Sequence, residues 1–274
     1  MLELVCDKDQ TLKSFTENNY AQASFFWQYL LKNKEIKVNG KKVGADMRLT
    51  AGDTVCYYLT QKQAEKPAFY TVYADENFLI IDKESGVNAE AVYAQLYREN
   101  EHCRFIHRLD RNTCGLMAFA LNDLAERALL DAFKNRAVEK YYHALCFGRM
   151  EKEQDILTAY LKKDEKNALV KIFDKQTLGA EKIVTEYRVL EKGKTATKVE
   201  ICLHTGKTHQ IRAHFAHISH PLVGDMKYGN TQKNKETGVA RQALVAKRLQ
   251  FHLQNEFSYI SERVFISRFD VDVQ

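Results

Sequence analysis

No apolar stretch of the chain approaches the eighteen or so residues that cross a bilayer, so a membrane-spanning helix is not expected. Missing too is a basic patch ahead of an apolar segment at the start. MLELVCDKDQ carries Asp7 and Asp9 instead and does not read as a secretory signal, so the expected protein is soluble and cytoplasmic. There is no C-x-x-C pair. The six cysteines stand singly in a chain large enough to need no covalent staples, and reduced thiols are expected. Strong charge of either sign is lacking: a net +5 permits a polyanionic partner without demanding one. Internal repeats and low-complexity tracts are absent as well.

What remains is an ordinary globular composition, 45% hydrophobic and 28% charged, over 274 residues, a length that suits one small and one large domain. The small one is expected over residues 1–62: helical patterns in TLKSFTENNY and QASFFWQYLLKN, then IKVNGKKV, where Asn39-Gly40 between short apolar segments signals a hairpin, then TVCYYL. Residues 63–69 fall in a polar stretch holding Pro67, one of two prolines, and read as a linker. A second domain is expected over 70–274. It opens with the strands YTVYAD and NFLIIDK and continues with strands such as KYYHALCFG and TKVEICLHT, mixed with helical LAERALLDAFKN. Regular strand–helix alternation is missing, so the class is α+β.

Two segments concentrate polar chemistry. His107-Arg108-Leu109-Asp110-Arg111-Asn112-Thr113-Cys114-Gly115 lies between apolar flanks that read as strands, which is how a rigid scaffold presents functional groups on a loop. The bland alternative is a solvated turn. Arg108 and Arg111 flank Asp110 and favour its ionised form if they face it; an ionised, shielded carboxylate is a usable nucleophile. The second segment, His204 to Pro221, holds five of the nine histidines. On a helix beginning near Thr208, Ile211, Phe215 and Ile218 share the face that would dock on a sheet, while His209 and Arg212 share another. His209 and His214 would lie about 140° apart around that helix, unlike the i, i+4 pair of a zinc-binding H-E-x-x-H, and no carboxylate interleaves them. Gly206-Lys207-Thr208 lacks the earlier glycine of a phosphate-binding loop, since position 201 is Ile.

HRLDRNTCG resembles the H-R-L-D-x-x-T-S-G signature of RluA-type pseudouridine synthases. TGKTHQIRAHFAHISHPLVGDMKYG resembles their T-G-R-x-H-Q-I-R-x-H through Y-G stretch, and Val138–Ala144 their V-x-K-x-Y-x-A. FYTVYADENFLIIDKESG is similar to the family's opening hairpin, so the resemblance spans nearly all of 70–253. It implies a catalytic domain built on a central, mainly antiparallel mixed sheet flanked by helices and loops. It also implies an isomerase that converts particular uridines of structured ribosomal or transfer RNA to pseudouridine. On the matching positions, Asp110 is the catalytic aspartate, Tyr142 packs on the uracil, and Arg212 pairs with the aspartate. Arg108 is a wedge for the space that the flipped base leaves, His107 shapes the loop, and Lys207 stands where a phosphate-contacting arginine is usual. No nicotinamide, flavin, metal or ATP is implied, and a monomer is expected. Cys114 replaces a usual serine, Val245 stands where histidine is frequent, and Glu84-Ser85 replaces Pro and a small residue. LLKNKEIKVNGKKV and the later AGDTV resemble the alpha-L RNA-binding domain, although its usual basic second helix here reads Gln22 to Trp27. Two rival readings are a non-catalytic RNA-binding or ribosome-assembly factor and a metal-dependent hydrolase built on the histidines.

Overall fold

The computed structural model describes residues 1–164 and 168–273. Near the N-terminus a four-stranded antiparallel sheet runs in the order Leu2–Val5, Thr54–Tyr57, Ile36–Val38, Lys41–Val43. Asn39 and Gly40 turn the last hairpin with φ of 48° and 77°, the double left-handed conformation for which Asn-Gly is suited. Helix Leu12–Asn19 begins on Thr11, whose side chain accepts from Ser14 N–H. It drives Leu12 and Phe15 into a core with Trp27, Leu30, Ile36 and Tyr57.

The helical pattern of residues 22–33 resolves into two short helices, Ala21–Phe25 and Trp27–Lys32, separated by Phe26 at φ −106° and ψ 19°. The break has a packing cause. Trp27, Leu30 and Leu31 face the N-terminal core, whereas Ala21 and Phe25 turn into the apolar core of the larger body, and a straight helix could not serve both.

That larger body is an eleven-stranded sheet. Every pairing is antiparallel except that of Cys114–Ala120 with Leu244–Phe251, which gives the mainly antiparallel mixed sheet that the motifs imply. Its helices Ala89–Glu99, Asp123–Lys134 and Gln210–His217 pack against it, the second capped by Asn122, which accepts from Ala125 N–H. Residues 165–167 and 274, within the range expected for the second domain, lie outside the described residues.

Two features fix the loop that carries Asp110. Gly115, at φ 112°, sits where a Cβ would stand 2.4 Å from the Ala246 carbonyl oxygen, so the parallel strand approaches only because the side chain is absent. Lys83, fully buried, donates from Nζ to the carbonyls of Glu84 (2.9 Å), Val87 (2.8 Å) and Arg111 (3.2 Å), tying the 84–87 turn to the Asp110 loop.

Candidate active site

The loop between strands Arg104–Phe105 and Cys114–Ala120 delivers Asp110 to the wall of a cavity of about 320 Å³. Leu109, Phe133, Tyr142, Leu203, Ile211 and Leu244 make its apolar lining. Strand alternation explains this. On Val138–Phe147, Lys140 and Tyr142 point to the cavity side and Tyr141 to the other face of the sheet.

Helix Gln210–His217 docks through buried Ile211 and Phe215, as its periodicity predicts, and thereby aims Arg212 at Asp110. The guanidinium is shared. Nη1 donates to Asp110 Oδ2 at 2.8 Å, while Nε and Nη2 fork onto Asp225 at 2.7 and 3.0 Å. Asp225 is fully buried and also accepts from the backbone N–H groups of Lys227 and Tyr228. Burial alone would raise its carboxyl, but the Arg212 bonds and these N–H groups outweigh it and hold the group below the usual carboxylate range. Arg212 therefore keeps a permanent partner behind it while its third N–H holds Asp110, whose side chain remains 22% exposed to the cavity.

The other sequence-designated residues divide. Tyr142 lines the cavity with its ring buried, and burial together with the Asp110 charge pushes its phenol above the ordinary range, so it stays protonated. His107 accepts the Ala118 N–H on Nε2 at 3.0 Å, stacks on Phe133 at 4.5 Å, and is pushed down to about 3 by burial, so it is neutral at ordinary pH. Arg108 lines the cavity edge, 65% exposed, and pairs with Glu90 Oε1 at 2.7 Å. Lys207 pairs through its ammonium with Glu181. Neither arginine flanking Asp110 in sequence is paired with it. Arg108 turns outward, and Arg111 reaches Glu17 and the Gly86 carbonyl, so the cation held against Asp110 is Arg212 instead.

The histidines of 204–220 do not converge. His214 meets Thr185 at 3.0 Å, His217 meets Asp174 at 2.7 Å, and His220 meets the Phe147 carbonyl at 2.9 Å. Only His204 joins a group with metal-ligand character among the described residues, with Glu186 and Cys202, ligand atoms within 4.8 Å of one another. Because Cys202 pairs with Tyr141, that group lies on the sheet face away from Tyr142, and its Glu186–His204 contact of 2.8 Å is an ion pair when the imidazole is protonated. Asp225 behind Arg212, and Lys140 and His209 on the cavity wall, were given no role by the sequence. Asp225 had a signal in the quoted VGDMKYG stretch, and Lys140 in the V-x-K-x-Y motif. His209, whose Nε2 lies 3.8 Å from Asp110 Oδ2, was placed only on the Arg212 face of a helix.

A model of the RNA pseudouridylate synthases matches residues 63–217, more than half of the chain. Ribosomal large subunit pseudouridine synthase C of Vibrio cholerae is 32% identical over 251 residues, covering 81% of this chain and 78% of that protein. An uncharacterised RNA pseudouridine synthase of Bacillus subtilis is 29% identical over 240 residues, covering 78% and 76%. Among solved structures, human RNA pseudouridylate synthase domain containing 1 superposes with a TM-score of 0.61 at 29% identity, covering 69% of this chain and 80% of that one. Human RNA pseudouridylate synthase domain containing 4 shares the fold, with a TM-score of 0.56 at 20% identity, covering 73% and 95%. Motifs, sheet, cavity and relatives agree on one assignment: the chain belongs to the RNA pseudouridylate synthase family of isomerases.

Proposed function

We propose that the protein isomerises particular uridines of structured RNA, ribosomal RNA of the large subunit foremost, with Asp110 as the catalytic carboxylate. The observation that carries this reading is the shared guanidinium: Arg212 is anchored on buried Asp225 and offers one N–H to Asp110 at the wall of a cavity lined by both apolar and polar side chains. Such an arrangement aims a carboxylate where positive character develops on a sugar, or where it attacks that sugar. The balance of the reaction needs nothing else. The bond from the sugar to ring nitrogen 1 breaks, a bond from the sugar to ring carbon 5 forms, and the proton lost from carbon 5 is matched by one gained at nitrogen 1. No redox partner or group donor enters.

A base within a helix must first be extruded, at a cost of a few kcal/mol. Arg108, exposed at the cavity edge, serves as the wedge that stacks in its place, and Tyr142 forms the surface on which the uracil lies. Residues 1–62 act as an alpha-L-like RNA-binding domain. Lys32, Lys34, Lys41 and Lys42 are exposed around its hairpin and helix end, where they can hold phosphates. Large-subunit synthases among the relatives favour ribosomal RNA over transfer RNA as the substrate. The enzyme is expected to work as a monomer in the cytoplasm.

The test is tritium release from carbon-5-labelled uridine in unmodified ribosomal and transfer RNA, with wild type beside Asp110→Ala. Release by wild type and none by the variant is expected, with ribosomal RNA the better substrate. Absence of release from both RNAs, with binding intact, would overturn the reading.

A further inference from the structure

His209 occupies an unusual place. It precedes helix Gln210–His217 with a left-handed backbone, φ 55° and ψ 18°, a conformation uncommon for residues other than glycine. The helix begins at Gln210 rather than at Thr208 for this reason, and the turn swings the imidazole off the helix and toward the loop of Asp110. There the ring is mostly buried, with its side chain 15% exposed and Nε2 3.8 Å from Asp110 Oδ2.

The opposite ring nitrogen is held from behind. His209 Nδ1 lies 2.8 Å from the Tyr228 hydroxyl, and that hydroxyl oxygen accepts the backbone N–H of Val170 at 2.9 Å. With Val170 as donor, the phenol's own proton is available to His209 Nδ1. Nδ1 is then the acceptor, and the imidazole carries its hydrogen on Nε2, the atom that faces Asp110 and the cavity. The groups facing the ring are Asp110 from the catalytic loop, Arg212 from the helix, and Asp225, Lys227 and Tyr228 from the segment beyond it. Burial lowers the affinity of the ring for a second proton, and Arg212 and Lys227 act in the same direction against the two carboxylates.

Resting on the reading of Asp110 as the working carboxylate, we propose that His209 is a positioning residue for it: an imidazole, its tautomer set by Tyr228, whose Nε2–H, beyond hydrogen-bond length at 3.8 Å, is placed to reach Asp110 on the side that Arg212 leaves open. Arg212 Nη1 fixes one direction of approach to Oδ2, and a neutral donor at the other limits rotation of the carboxylate without drawing off its negative charge. Protonation of His209 would replace that donor with a cation that competes with the reacting sugar for the carboxylate.

The experiment measures single-turnover rate and RNA affinity across pH for wild type, His209→Ala, His209→Gln and Tyr228→Phe. Thermal melts accompany each variant, and an NMR titration follows the labelled His209 ring. Loss of the donor in His209→Ala is expected to cost about tenfold in rate with little change in RNA affinity, as misplacement of a reacting group does. His209→Gln, whose amide nitrogen reaches the place of Nε2 and keeps an N–H donor there, is expected to recover most of that loss and to remove the acidic fall in rate that follows the imidazole. In Tyr228→Phe the hydrogen bond favouring the neutral ring is gone, so the ring titrates at higher pH and the acidic fall moves up with it. Rates within twofold of wild type for His209→Ala at every pH would overturn the proposal. So would equal losses in the Ala and Gln variants with unchanged melting, because shape and not the donor would then be responsible. If wild type itself releases no tritium, the failure belongs to the proposed function instead.

Discussion

At the residue scale the site depends on a geometry that only arginine supplies. Arg212 spans two carboxylates with three N–H groups in one plane, and a lysine at the same place has a single ammonium that cannot reach both. Arg212→Lys should therefore leave Asp225 short of partners in a fully buried position, where an uncompensated charge costs about 3–5 kcal/mol. We expect a lower melting temperature and a rate loss of roughly 10²–10³-fold in tritium release, the range for removing one preorganised donor. Retained rate with only the melting point lowered would mean that the guanidinium serves folding alone. Little of this was legible in the sequence from spacing. Arg108 and Arg111 adjoin Asp110 in the chain and look like its partners, yet side chains two or fewer residues apart on a turn diverge. The cation that matters is 102 positions away and is brought in by a helix docked on Ile211 and Phe215. What the sequence did carry was the motif resemblance, which placed Arg212 against the aspartate without any geometry.

At the element scale, the strands, the hairpin at Asn39-Gly40 and the helix ending at His217 were legible because each has a local cause: alternation, turn chemistry, apolar periodicity. The break at Phe26 was not, since both halves of residues 21–32 are apolar and only the presence of two separate cores divides them. The same holds for Lys83, which reads as the polar end of a strand but is buried and binds three carbonyls from two loops. Burial pushes its ammonium down to about 7, so its desolvation works against the gain from those bonds. Lys83→Met keeps the length of the side chain and removes the donors. It should cost about 2–3 kcal/mol in urea denaturation, from acceptors left unpaired less the relief of the buried charge. It should also open the 84–87 turn and the Asp110 loop to proteolysis. An unchanged midpoint would mean that water replaces the ammonium without loss.

At the scale of the whole molecule, the N-terminal body is joined to the Asp110 loop by an ion pair. Glu17 on helix Leu12–Asn19 meets Arg111, the residue after Asp110, and Arg111 also donates to the Gly86 carbonyl at 3.1 Å. Asn18 accepts from Asn88 at 2.9 Å, and the Asn19 carbonyl accepts from Arg98 at 3.1 Å, so one helix end touches the Asp110 loop, the start of Ala89–Glu99 and its far end. No local signal in either sequence stretch could announce contacts across 94 residues. A clamp of this kind makes the order of the Asp110 loop depend on the N-terminal body being seated. A double-mutant cycle with Glu17→Gln and Arg111→Gln isolates the pair. With Glu17 18% and Arg111 38% exposed, a coupling of about 1 kcal/mol in stability is expected, between that of a surface pair and a buried one. If the clamp also orders the loop, Glu17→Gln lowers the single-turnover rate several-fold at saturating RNA, and the double variant is no slower than Arg111→Gln alone. Additive rate losses would instead show that Glu17 acts through RNA held by the N-terminal body, and that the ion pair only fastens the two bodies together.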